Sequence, residues 1–232
     1  MQKNIIQIFH VCYNKGHVGY LDKPVIKDYS YFSFESLPGV EWGYLDFPVS
    51  AKYMRNFGKE CLGLTSRFHT EWGDFHAFRN EAAMEYEVFS MLSHGCKCTI
   101  GDQMDYWGKL NKDMYQQIGR VYKSVEEKEP WCENAKPVSE IGVFTAEEFY
   151  ATGVAGQIPG ASEGVARLLM EYGYQFDFID STSDFGKYRL LILPDVIPVD
   201  EILGRKLSAY INAGGKLLAS YQSGLDKDHQ NL

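Results

Sequence analysis

Ten consecutive residues, Arg67-Phe68-His69-Thr70-Glu71-Trp72-Gly73-Asp74-Phe75-His76, hold two carboxylic acids, two imidazoles, a guanidinium and an indole. Carboxyl pairs cleave glycosidic bonds, one acting as acid and the other as base or nucleophile. An indole adds a flat apolar face with a polar edge, suited to the C–H side of a pyranose ring. The competing reading is a loop whose acids cap the next helix and whose Trp is half-buried packing. Placement of the acids and Trp72 on a loop, rather than along a helix face, favours a site. Gly101-Asp102-Gln103-Met104-Asp105-Tyr106-Trp107-Gly108 repeats the combination of acid and Trp, although Asp102 could equally serve a turn. A third group, Glu35, Glu41, Trp42 and Asp46, surrounds F-E-S-L-P-G-V-E-W-G-Y. Glu71, Asp74 and Asp102 are thus the candidate catalytic carboxylates. Trp42, Trp72 and Trp107 are candidates for stacking on sugar, and Glu35, Arg67, His69 and Gln103 for binding hydroxyls.

Other signals carry less. Cys96 and Cys98 project to one face of a strand, but no second pair stands at zinc spacing, so they read as small buried residues. His10 and His94 have no ligand spacing. Gly153, Gly156 and Gly160 precede a helix without forming a dinucleotide fingerprint or a P-loop. The sequence therefore calls for no metal and no cofactor.

Short strands and amphipathic helices must hold these groups. Residues 5–13 form a near-continuous apolar run, read as a strand covered on both faces. Residues 14–51 read as a long loop, functional by its length, with a short strand near 31–35. A strand at 61–65 follows. A helix at 79–94 comes next, with Ala82, Ala83, Tyr86, Phe89, Leu92 and Ser93 at helical spacing, closed by Gly95. After a strand at 96–100, Asn111 or Asp113 caps a helix whose stripe is Met114, Ile118, Val121, Tyr122 and Val125, ended by Pro130.

Residues 126–139 are charged and contain Pro130 and Pro137, as a linker would. A second unit then alternates strands at 141–145, 175–179, 190–193 and 216–220 with helices at 162–172 and 201–213. That alternation implies a parallel sheet wrapped on both faces. The expected domains are residues 1–132, a linker at 133–139, and residues 140–232. Three strand and helix units cannot close a barrel of eight, and the second sheet stops without a final helix, so both ends read as cut.

Composition bounds the partners. The chain has 232 residues, 31 acidic against 23 basic, for a net charge of -8, which repels phosphate backbones and anionic lipid. Nucleic acid and membrane are not expected partners. Its 16 Tyr, 14 Phe and 4 Trp exceed the ordinary needs of a core, which suits a cleft lined with aromatics. Five cysteines in a chain too long to need stapling read as free thiols of a reducing compartment, and so as a cytoplasmic protein.

The run from F-E-S-L-P-G-V-E-W-G-Y through T-S-R-F-H-T-E-W-G-D-F to H-G-C-K-C-T-I-G-D-Q-M resembles the back part of the (β/α)8 barrel in alpha-L-fucosidase-like glycoside hydrolases, which are similar to family 42 beta-galactosidases. From Ile141 the chain resembles the beta-galactosidase trimerisation domain, a flavodoxin-like fold related to class I glutamine amidotransferases. The resemblance implies a partial TIM barrel, its last three strands at 5–13, 61–65 and 96–100, followed by an incomplete flavodoxin-like sheet. It also implies retaining cleavage of a galactoside or fucoside by two carboxylates, and a homo-oligomer formed through residues 140–232. The family's nucleophilic Glu ends the seventh strand, here Thr65 to Arg67, where no acid stands. Glu71 and Asp74 follow nearest. The acid/base carboxylate of such barrels comes from an earlier strand, so this polypeptide alone is expected to be inactive. The second unit offers no nucleophilic Cys in Ser220-Tyr221-Gln222-Ser223, which argues against glutaminase chemistry. The rival reading is a non-catalytic carbohydrate-binding or oligomerisation protein.

Overall fold

A computed structural model describes residues 8–10, 29–70, 72–150 and 160–226, and divides them between two compact units that part near residue 136. The first unit is built on a four-stranded parallel sheet, β1 (Ile8–His10), β2 (Tyr31–Glu35), β3 (Cys61–Ser66) and β4 (Lys97–Gly101), in that order. The expected strands at 61–65 and 96–100 are there within a residue. Of the run at 5–13, residues 8–10 are strand and the rest lie outside the described residues. The short strand read inside the long loop is a full member of the sheet, pairing with both β1 and β3. Flanking Gly, Pro and Trp hide its pattern in the sequence; the structure shows its five residues almost wholly covered.

Helices α1 (Asp46–Met54), α2 (Glu81–Ser93) and α3 (Lys112–Glu126) connect and cover the strands. Asn80 caps α2 through Ala82 N, and Asn111, not Asp113, caps α3 by accepting from Asp113 N and Met114 N. These bonds satisfy donors that a helix start leaves open. Pro130 does not simply end α3; it opens a one-turn helix, α4 (Glu129–Cys132), where its missing N–H costs nothing. On α3 the expected stripe is the buried one: Met114, Ile118, Val121 and Val125 pack against Met84 and Val88 of α2, with Tyr122 at its margin. On α2 the structure buries a different face from the one expected: Met84, Glu87, Val88 and Met91 are inside, while Tyr86 is exposed. Apolar residues occur on nearly every side of α2, so spacing alone did not select a face, and the acid on the buried side disguised it.

Strand alternation sorts the side chains. Phe34 packs on Phe47 of α1, and a Cβ on Gly63 would strike Met91 of α2 and Phe47, so these positions face the helices. In-register partners Glu35, Leu64 and Thr99 share the opposite face.

The second unit carries β5 (Ile141–Phe144), α5 (Gly160–Glu171), β6 (Phe176–Ile179), β7 (Leu190–Leu193), α6 (Glu201–Asn212) and β8 (Lys216–Ala219). All neighbours are parallel, in the order β6-β5-β7-β8, a flavodoxin-like arrangement. Its core joins Phe144, Ile179, Leu191 and Leu193 to Leu203, Leu207 and Tyr210 of α6. Gly142 is required by close approach: a Cβ there would lie 2.8 Å from Ile179 and 3.0 Å from Leu191.

Candidate functional site

The site grows from the carboxyl end of β3. Behind that end, Arg79 donates from Nη1 to Thr65 Oγ1 at 2.7 Å and to the Ser66 carbonyl at 2.8 Å, and from Nη2 to Glu87. The Thr65 hydroxyl donates to the other oxygen of Glu87. Gln117 of α3 donates to the Arg79 carbonyl at 2.6 Å. Glu87 is 1% exposed, and burial pushes its carboxyl up to about 7 against the opposing pull of Arg79 and Thr65. Buried polar partners need their hydrogen bonds filled, and this pair uses its bonds to hold two β3 residues.

Arg67 follows directly. Its backbone N–H donates to the Gly101 carbonyl at 2.9 Å, carrying the β3 to β4 pairing one step past the strands. The side chain is 3% exposed. Its Nε donates to Asp102, and the guanidinium lies 4.2 Å from the Phe68 ring centre and 5.3 Å from that of Phe75. Buried Nη1 has no hydrogen-bond partner among the described residues. Asp102 also accepts from the Gln103 N–H at 2.7 Å, so the turn role weighed for it is real, alongside an ion pair. Tyr115, in the first turn of α3, adjoins the same pair: burial raises its phenol, and Asp102 raises it further through charge and a hydrogen bond.

Trp72 lies across the end of β4. A Cβ on Gly101 would sit 2.5 Å from the indole and 3.2 Å from Leu64, so glycine there lets the ring approach. Phe68 meets the indole edge-on at 5.9 Å. Thr65 and Ile100 are register partners, so the segments after β3 and β4 leave the sheet side by side. The loop after β2 joins them, since a Cβ on Gly39 would lie 2.9 Å from the His69 carbonyl oxygen. Glu35, 8% exposed, ends β2 on the Leu64 face. Trp42 ends a short helical turn beyond it and is partly buried.

The candidates therefore separate. Arg67, Trp72 and Asp102 are brought together, with Gln103 beside Gly73 (3.3 Å from a Cβ built there). Asp74 accepts from Thr70 Oγ1 at 3.3 Å within its own loop, and His69 is exposed. Trp107, 71% exposed, stacks on Tyr106 at 4.7 Å, over a turn in which Asp105 accepts from the N–H groups of Trp107 and Lys109. Glu71 lies outside the described residues. Sequence reasoning missed Arg79, Glu87, Gln117 and Tyr115. One signal was available: Glu87 stands within the stripe Met84, Val88 and Met91, where a lone acid implies a buried cation. No group of acids, His and Cys among the described residues could hold a metal ion.

At the carboxyl ends of the second sheet, polar groups serve the backbone. Asp180 accepts from Thr182 N and Oγ1 and from Ser183 Oγ; Glu148 accepts from Ser181 N; Lys206 holds the carbonyls of Ser181 and Ser183. Tyr221, after β8, has a φ of 48°, and no cysteine stands at that turn.

Residues 167–232 match the model of the beta-galactosidase trimerisation domain. The chain is similar to alpha-L-fucosidase isoenzyme 2 from Paenibacillus thiaminolyticus, with 38% identity and a TM-score of 0.84 over 93% of this chain and 33% of that one. The likeness is to glycoside hydrolases. Gan42B, a GH42 beta-galactosidase of G. stearothermophilus, shares the fold at 17% identity and a TM-score of 0.70, over 90% of this chain and 35% of its own. Beta-galactosidase LacA of Lactobacillus acidophilus is 21% identical over 69% of this chain and 27% of its own length. The chain thus spans about a third or less of these glycosidases.

Proposed function

We propose that this chain forms one side of the sugar site of a glycoside hydrolase acting on a galactoside or fucoside, joined to an oligomerisation unit. One observation carries the reading: Trp72 lies on the end of β4 beside the Arg67–Asp102 pair. The segments after β3 and β4 thereby lie against each other, at the strand ends where barrel enzymes place their chemistry. Trp42, Trp72 and Trp107 stack on sugar rings; Glu35, Arg67, His69 and Gln103 bind hydroxyls. Glu71 and Asp74 act as catalytic or charge-stabilising carboxylates, with Asp102 as the third candidate. The second carboxylate of the pair comes from the part of the barrel that the relatives have and this chain does not span, so the chain alone does not turn over. Residues 1–132 belong to the barrel, 133–139 link, and 140–232 drive homo-oligomerisation, supported by the trimerisation-domain match. Free Cys61, Cys96, Cys98 and Cys132 support a cytoplasmic setting.

Aryl-glycoside hydrolysis by the whole protein tests this, with Glu71→Gln and Asp74→Asn as variants. Wild-type rates in both remove these two from the mechanism. The rival reading, a carbohydrate-binding protein without turnover, is favoured by the commitment of Asp102 to Arg67 and of Asp74 to Thr70. Galactose or fucose binding with no hydrolysis would decide for it.

A further inference from the structure

The buried group behind the end of β3 is built to hold a position. Arg79, 6% exposed, donates from Nη1 to both the Thr65 hydroxyl (2.7 Å) and the Ser66 carbonyl (2.8 Å), and from Nη2 to Glu87. Glu87 closes the ring by accepting from the Thr65 hydroxyl. A third element joins through Gln117 of α3, which donates to the Arg79 carbonyl at 2.6 Å. The Ser66 carbonyl belongs to the peptide unit that leads into Arg67, and a peptide unit is planar and rigid. With its oxygen on Arg79 and its N–H on the Gly101 carbonyl at 2.9 Å, this one is fixed at both ends. The direction in which the chain leaves β3 toward Arg67 and Trp72 is fixed with it. Replacing a buried pair of this kind by apolar side chains of similar volume is often neutral or stabilising, so stability alone does not account for its presence.

We propose that Glu87 and Arg79 are positioning residues for the site: they act through the Ser66–Arg67 peptide to set where Arg67 and Trp72 stand, and the protonation of Glu87 thereby tunes ligand affinity. The inference rests on the site proposed above and adds its regulation. Glu87 is the group that responds. Thr65 and Arg79 are the polar groups bonded to it, and the buried residues beside it on α2 and α3, Met84, Val88, Met114, Ile118 and Val121, carry no charge. Cys98 of β4 borders the same cluster, its thiol kept neutral by burial. His94, further along α2, has Phe47, Lys52 and Arg55 as neighbours and is held down to about 4. Burial holds the Glu87 carboxyl up to about 7, so near neutrality its charge depends on whether the strand end is packed or open to water. The ionised form gains by opening, and a ligand that needs the packed end competes with that gain. Affinity therefore falls as pH rises through this window.

The test compares the whole protein with Glu87→Gln and Gln117→Ala, by amide hydrogen exchange of residues 62–76 and by titration with L-fucose and D-galactose between about pH 6 and 8. Wild-type affinity is expected to fall by roughly 2- to 10-fold across that range, the usual span of coupling through a packed network. Glu87→Gln keeps the shape and loses the titration, so its profile should be flatter; the slope that remains belongs to His69 and His76 of the loop itself. Gln117→Ala releases the Arg79 main chain from α3. It should speed exchange at 62–76 without changing unit two, and weaken sugar binding by roughly 2-fold or more. If Glu87→Gln fails to fold, Gln117→Ala still decides. A profile as steep in Glu87→Gln as in wild type, or exchange and affinity unmoved in Gln117→Ala, overturns the positioning role while the sugar site stands. A wild-type protein that binds neither sugar and hydrolyses no aryl glycoside overturns the sugar site, and the tuning of its affinity with it.

Discussion

Both sheets are parallel and both present their carboxyl ends to loops, yet the two ends spend their polar groups differently. In the first unit, ionisable side chains pair with one another in a buried setting: Arg79 with Glu87, Arg67 with Asp102. The rings of Phe68 and Phe75 lie beside Arg67, one of whose donors has no partner among the described residues. In the second, Asp180, Glu148 and Lys206 bond main-chain groups and hydroxyls of residues 181–183, with Lys206 also over the Phe185 ring. Side chains paired with side chains can be rearranged around a ligand. Side chains that satisfy the backbone are committed to the fold. The proposed binding site lies at the first end, and the trimerisation-domain match lies within the second unit.

The contrast can be broken at several points. Glu87→Ala strands Arg79 in the core, and removing one partner of a buried pair costs about 3–5 kcal/mol; urea unfolding should show this as a lower midpoint. A loss below about 1 kcal/mol would mean that the brace is not structural. Next comes Gly101→Ala, whose new Cβ collides with Trp72. An overpacked site loses about 1–3 kcal/mol, and the Trp fluorescence should shift with the displaced ring; unchanged emission would separate Trp72 from β4. In the second unit, Asp200→Ala removes the acceptor that caps α6 through Leu203 N, for about 1 kcal/mol, with no effect on sugar binding. The smallest effect belongs to the exposed Arg167 and Glu163 pair on α5. Its loss in Glu163→Ala should cost about 0.3–0.5 kcal/mol at low salt.

A pH profile sharpens the same comparison. The folded protein holds Glu87 protonated up to about 7, against an ordinary value of 4.5. Between those values the folded state binds a proton that the unfolded chain has released, so stability declines as pH rises through the window. Glu87→Gln should flatten that decline. His94 works the other way: burial holds it down to about 4 from 6.5. Its contribution is lost as pH falls from 6.5 to 4, and the Glu87→Gln variant should reveal that slope undisturbed.

Much of this was legible in the chain. Period and punctuation located α2, α3, α5, α6 and most strands, and clustering of acid with Trp pointed to the ends of β3 and β4. Helix α1 (Asp46–Met54) was missed, since its first residues fall in the stretch read as a long loop. The strand at Tyr31–Glu35 was dimmer because five residues carry few periods. The buried face of α2 was misread because apolar residues surround that helix and Glu87 interrupts the stripe that counts. Arg79 and Tyr115 were invisible, since nothing local marks a residue whose partner is several elements away.

What the amino-acid order determined by itself is therefore the set of elements and the chemical character of the loops between them: hydrophobic period, caps and breakers act over a few residues and need no distant partner. Which acids are free to react, and which are tied to a cation, was decided by strand register. It placed Arg67 beside Asp102, from the next strand, and Thr65 beside the Arg79–Glu87 pair. Burial strengthens such pairings and makes them exclusive, and burial is a property of the folded chain alone.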